Sequence, residues 1–126
     1  MSYTKPKLVK AIDAVTATTT SSAIDVRGAK KIVLRCERAA HSAGSTAFSA
    51  TASIDKGTTF DAVPLLDYVA TTNTQTLTRT LSKSSGTANG VFWLAIELDA
   101  LAFDQIKLTV TETTDGTHSM WAYITY

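Results

Sequence analysis

The chain has 126 residues with 18% charged and a formal net charge of +1, which fits one domain and leaves no long-range field to gather nucleic acid or an anionic membrane. Its single cysteine, Cys36, excludes an intramolecular disulfide framework. The longest apolar run, Val91 to Ile96, falls far short of the ~20 residues of a membrane-spanning helix. Threonine, serine and alanine are abundant and methionine and proline scarce, which favours pleated sheet over a helical bundle.

At the N-terminus, Lys5, Lys7 and Lys10 surround Pro6 with no acid among them. No continuous apolar stretch follows to make a signal peptide, so synthesis in a reducing cytoplasm is expected. Met1 to Lys10 read either as a frayed, solvated terminus or as a docking arm, and residues 1–22 together as an arm and linker, with Leu8 to Val15 able to form a first strand and Thr16 to Ser22 a linker or edge. The domain proper is expected over residues 23–126.

Ala23 to Val26 reads as a short strand ending at Arg27-Gly28. Lys30 to Arg38 alternates Ile32, Leu34 and Cys36 against Lys31, Val33, Arg35 and Glu37, and Ser45 to Asp55 alternates Phe48, Ala50, Ala52 and Ile54 against small polar residues. Both are strands with one buried face. Asp55-Lys56-Gly57 is a turn signal with glycine at a left-handed position and opens a hairpin. Pro64 demotes Phe60 to Val69 to an edge or irregular crossing segment, and Thr74 to Ser82 is polar enough on both faces to belong at an edge.

Val91 to Leu98 differs from the rest. Phe92, Leu94, Ile96 and Leu98 point one way while Val91, Trp93 and Ala95 point the other, so one face needs a cover from outside the two-layer core. Asp99 to Phe103 reads as a turn, with room for a short helical turn. The terminal segment, Gln105 to Tyr126, reads as a hairpin closed by Asp115-Gly116, a pair suited to a two-residue type I′ turn. That register sets Val110 opposite Trp121 and Leu108 opposite Tyr123, and leaves Met120, Ala122 and Ile124 on the second face. About eight strands without βαβ alternation predict an all-β fold, an antiparallel, jelly-roll-like β-sandwich with the N-terminal arm attached.

No catalytic constellation stands out. His41 and His118 lack partners at metal-ligand spacing and read as surface histidines, and Cys36 reads as a small core residue. Asp55, Asp61, Asp99 and Asp104 read as turn-formers; a hydrolase would need them to converge. No cofactor, metal site or enzymatic activity is expected. The residues assigned to partner binding are Lys5, Lys7, Leu8 and Lys10 in the arm, Val91 and Trp93 on the doubly apolar strand, and Met120 and Ile124 on the second face of the hairpin.

Three stretches, Ile24-Asp25-Val26-Arg27-Gly28-Ala29-Lys30-Lys31, Ser53-Ile54-Asp55-Lys56-Gly57-Thr58-Thr59-Phe60 and Thr111-Glu112-Thr113-Thr114-Asp115-Gly116-Thr117, together resemble small β-sandwich virion proteins of tailed bacteriophages, in particular head decoration (cement) proteins. In the second, Lys56 separates the Asp and Gly expected to be adjacent. The resemblance implies a non-enzymatic protein on the virion's capsid surface that bridges and stiffens its subunits. Its implied partners are the major capsid protein and copies of itself, as a homotrimer, with no nucleic acid or membrane. A carbohydrate-binding module of a phage or bacterial surface protein is the alternative, with Trp93, Trp121 or Tyr123 as a sugar platform.

Overall fold

A computed structural model gives the architecture and describes residues 5–70, 75–86, 88–98, 102–113 and 115–126. Among the described residues twelve strands pair antiparallel in two sheets that form a β-sandwich. Sheet A has the order β1 (Lys7–Val15), β12 (Thr117–Thr125), β4 (Lys31–Ala39), β10 (Gly90–Ile96), β7 (Leu65–Ala70), β8 (Gln75–Thr80). Sheet B has the order β2 (Thr19–Thr20), β11 (Gln105–Glu112), β5 (Thr46–Ser53), β6 (Asp61–Ala62), with β3 (Ile24–Asp25) on β11 and β9 (Lys83–Ser84) on β5. The expected count of about eight is exceeded because two-residue strands, too short to show a period, complete sheet B.

The core lies between the sheets and follows the period-two pattern. Ile32, Leu34 and Cys36 of β4, Leu94 and Ile96 of β10, and Met120, Ala122 and Ile124 of β12 meet Phe48, Ala50 and Ala52 of β5 and Ile106, Leu108 and Val110 of β11. Side chains on successive strand residues point to opposite faces, so the residues between these face outward.

Two expectations change. The terminal segment is not a hairpin: β11 pairs with β5, β2 and β3, whereas β12 lies between β4 and β1 in the other sheet. Asp115-Gly116 carries the chain across the sandwich. Gly116 does have a positive φ of 115°, but the Asp115 carboxylate accepts from the backbone N–H groups of Ser42 and Ala43 at 3.1 Å and from the Ser42 hydroxyl, tying this link to a neighbouring loop. Because β12 is apolar on both faces, its pattern is compatible with either orientation, and the core takes Met120 and Ile124 while Trp121 and Tyr123 turn outward. Met120 and Ile124 are therefore core residues, not partner-binding ones.

The arm also changes. From Lys7 on, residues 1–22 join the sandwich: β1 pairs with β12, Ile12 is buried, and Thr19–Thr20 pairs with β11. An intramolecular edge that needs a strand takes the segment first. Lys5 is exposed, and Lys7 donates from Nζ to the Asp25 carbonyl at 2.9 Å within the same chain.

At Pro64 the segment is the crossing one of the two readings, with β6 at the edge of sheet B. Pro64 splits the segment between β6 in sheet B and β7 in sheet A, and β7 lies inside its sheet. The edge beyond it is β8, as the polar Thr74 to Ser82 pattern predicts. The hairpin opened at Asp55 forms, since β6 returns along β5 with Lys56 and Gly57 at φ 58° and 88°. Of the turn expected over Asp99 to Phe103, residues 99–101 lie outside the described residues.

Candidate docking face

Sheet A shows two rows of residues on its outer face. The first runs Lys10, Trp121, Arg35, Trp93 across β1, β12, β4 and β10, and the outward Tyr68 and Leu77, paired on β7 and β8, belong to the same face. The second runs Leu8, Tyr123, Val33, Ala95, Leu66, Arg79 across all six strands. Leu8 is 65% exposed, Trp93 53% and Tyr123 44%. Leu8, Val33, Arg35, Trp93, Trp121 and Tyr123 line one shallow depression. A second, bordered by Lys30 and Lys31, continues past Leu66 and Tyr68.

Local contacts fix this face. The Arg35 guanidinium carbon lies 4.5 Å and Lys10 Nζ 4.9 Å from the Trp121 ring centroid, distances at which a cation is attracted by an aromatic ring. Ion pairs lie within and beside these rows: Lys10 with Asp13 at 2.8 Å, Arg35 with Glu37 at 3.2 Å, and Arg79 with Glu97 through two 2.8 Å bonds. The Arg79 hydrogen bonds hold the Glu97 carboxyl below its ordinary range.

Sequence reasoning placed Leu8, Lys10, Val91 and Trp93 among partner-binding residues, and all four lie on this outer face. It missed Val33, Arg35, Leu66 and Tyr68. For Val33 and Arg35 the signal was the non-core half of the β4 alternation, read only as the polar side. Trp121 and Tyr123 were misplaced by the hairpin register.

A second cluster closes one end of the sandwich. Arg38, almost wholly buried, donates to the carbonyls of Ala43, Gly44, Gly86 and Asp115 at 2.9–3.1 Å. His118 is 0% exposed, which corrects its reading as a surface histidine. Its Nδ1 lies 3.1 Å from the Val15 carbonyl, while Nε2 lies 2.5 Å from Glu112 and 2.8 Å from Thr46 Oγ1. In a nucleophilic triad the carboxylate orients one ring nitrogen and the nucleophile meets the other. Here both crowd the same nitrogen, and Thr46 is fully buried, so the cluster ties three loops together. His41 lies in one of these loops, where its backbone N–H donates to Asn89.

Of the aspartates, Asp99 lies outside the described residues, Asp61 is exposed on β6, and Asp55 and Asp104 are engaged locally. Asp55 accepts from the Ser53 hydroxyl at 2.7 Å and the Thr59 N–H at 2.9 Å. Asp104 accepts from the Lys56 N–H at 3.1 Å. Among the described residues no three His, Cys, Asp or Glu side chains converge on one metal-sized site. Cys36 is buried as expected, and desolvation pushes its thiol up to about 12, far from a nucleophilic thiolate at neutral pH. Comparison with known proteins returns no matching family model, no matching curated protein and no matching solved structure.

Proposed function

We propose that this is a non-enzymatic structural protein that docks through the outer face of sheet A, and that its partner is the outer surface of an assembled capsid, which it stabilises by bridging neighbouring subunits. The observation that carries the docking reading is the pair of rows crossing sheet A, in which Trp121, Trp93, Tyr123, Leu8 and Val33 gather around the ion-paired Arg35, with Lys10 and Arg79 at the outer ends. Trp, Tyr and Arg dominate the energetics of protein interfaces, where an apolar centre is surrounded by a polar rim. The capsid as partner rests on the three turn-and-strand stretches that resemble decoration proteins. Lys30 and Lys31 beside the face suit an acidic shell surface.

The row Trp121, Arg35, Trp93 favours a second reading, glycan binding. Two strand spacings separate the indoles by ~10 Å, a separation suited to stacking on sugar rings. Against it, Lys10 and Arg35 already lie against Trp121, Arg35 is paired with Glu37, and the depression is completed by Leu8 and Val33 rather than by hydrogen-bonding groups.

Co-sedimentation with undecorated particles of the virus that carries the protein tests the proposal. Wild type should bind, and Trp93→Ala with Trp121→Ala should weaken binding at least tenfold, roughly the loss of one interface hot spot. No binding by wild type would sink the capsid reading. Equal binding by the variant would remove this face from it. Truncating residues 1–22 is not a clean alternative, because it strips β1 from sheet A.

A further inference from the structure

Sheet A ends in two unlike edges. On β1 the ladder shifts register between Lys10 and Ile12 and again between Ile12 and Val15, and Ala14 has φ 50°. Bulges and edge lysines blunt a strand against further pairing. On the opposite edge, β8 holds an unbroken register with β7, from Leu65 opposite Thr80 to Ala70 opposite Gln75. It contains no proline, glycine or lysine, and residues Gln75 through Arg79 are exposed on both faces. Its one charge, Arg79, is held by Glu97. Among the described residues no further strand pairs with β8, and a regular edge whose one charge is already paired presents backbone donors and acceptors to another strand.

We propose that β8 pairs antiparallel with β8 of a second copy of this chain about a two-fold axis at Leu77, joining the two six-stranded sheets into one. Directly opposed residues of an antiparallel pair share a face, and a two-fold axis sets each residue opposite the one equally far beyond it. With the axis at Leu77, that side chain meets its own symmetry mate on the outer face, where it is 54% exposed beside Tyr68. Thr76 meets the partner's Thr78 on the other face, and Gln75 meets the partner's Arg79.

Leucine and threonine pairs of this kind stabilise a ladder, and no like charges are opposed. Moving the axis to Thr78 would set Leu77 against the partner's Arg79 and lose the leucine pair. Six residues give a seam of ~20 Å, short for a protein interface, so the pairing is concentration-dependent. A two-fold pair departs from the homotrimer that the resemblance implies. It also brings two outer faces side by side, and only this consequence rests on the docking reading above: two linked faces would gain through effective concentration.

Sedimentation velocity of the full chain over a concentration series tests the pairing. Wild type should pass from monomer to dimer. Leu77→Lys and Leu77→Glu should each raise the dimer dissociation constant at least tenfold, since like charges would face each other at the axis. An equimolar mixture of the two variants should restore the dimer, with lysine opposite glutamate, which also shows that both variants fold. Trp93→Ala should dimerise as wild type does, so failure of the pairing and failure of the docking face are told apart. A wild type that stays monomeric at millimolar concentration, a trimer, a variant that dimerises normally, or a mixture no better than its components would each overturn the proposal.

Discussion

The two outer faces of the sandwich are built on the same backbone plan and carry different chemistry. On sheet B the outward residues are Ala47, Ser49 and Thr51 of β5 against Thr111, Thr109 and Lys107 of β11, with Thr20 bonded to Thr109 through their hydroxyls at 3.1 Å. On sheet A the corresponding positions hold Tyr123, Trp121, Val33, Trp93 and Tyr68. Both sheets bury an apolar inner face. Sheet B shows that a strand pair in this protein is complete with mostly small or short polar side chains outside, Lys107 against the Phe60 ring being the exception. The aromatics of sheet A are therefore not required by the sandwich itself, and it is this exposed patch that the docking proposal explains.

The inner face sets the scale for breaking this comparison. Ile124 is fully buried, and Ile124→Ala should cost about 2–5 kcal/mol through lost transfer energy and the cavity left behind, read by chemical denaturation. A cost below about 1 kcal/mol would return Ile124 to the surface role that the sequence pattern assigns it.

The link between the sheets comes next. A Cβ at Gly116, at φ +115°, would lie 3.1 Å from His118 Nε2, 3.2 Å from His41 Cβ and 3.3 Å from Arg38 Nε. Gly116→Val should therefore destabilise the fold by ~1–3 kcal/mol. The same substitution is expected for either connection, but only the observed crossover puts the Arg38 and His118 cluster in contact with it. Thermal melts of Gly116→Val should show loss of both sheets together.

The strands themselves were legible because their patterns are local: β4 and β5 follow from period-two alternation, and β10 from a continuous apolar run. Which strand pairs with which is not local. Asp115-Gly116 carries a hairpin signal, yet the loop containing Ser42 and Ala43, distant in sequence, captures the aspartate and the chain crosses over. The docking face was legible where a strand is apolar on both sides, as at Val91 and Trp93. It was hidden where the outward residue on one strand, such as Arg35, acquires meaning only from its neighbours Trp121 and Trp93 on two others.

Acid should weaken that same link between the sheets. The Ser42 hydroxyl first, then the N–H groups of Ala43 and Ser42, hold the Asp115 carboxyl below its ordinary value, and Asp55 is lowered mainly by Ser53. Asp25 is lowered to about 2 by Arg27. A carboxylate with a depressed folded-state pKa stabilises the fold above the unfolded value of ~4, and that contribution is lost as pH falls through the folded value. The melting temperature should therefore hold between pH 7 and 5 and drop below about pH 4. Asp115→Asn, which removes one of these groups, should show a shallower drop, and an unchanged slope would take Asp115 out of the acid response.

The smallest expected change in stability is the most discriminating. Trp93 is half exposed on the outer face of β10, and threonine has comparable strand preference. Trp93→Thr makes that position resemble the outer face of sheet B and should cost less than about 1 kcal/mol, within the range of surface substitutions that remove some packing. Its binding to particles should nonetheless fall at least tenfold if the two faces differ for the sake of a partner. A loss of stability approaching that of Ile124→Ala would make the aromatic rows part of the fold, and the contrast between the two outer faces would then be one of packing alone.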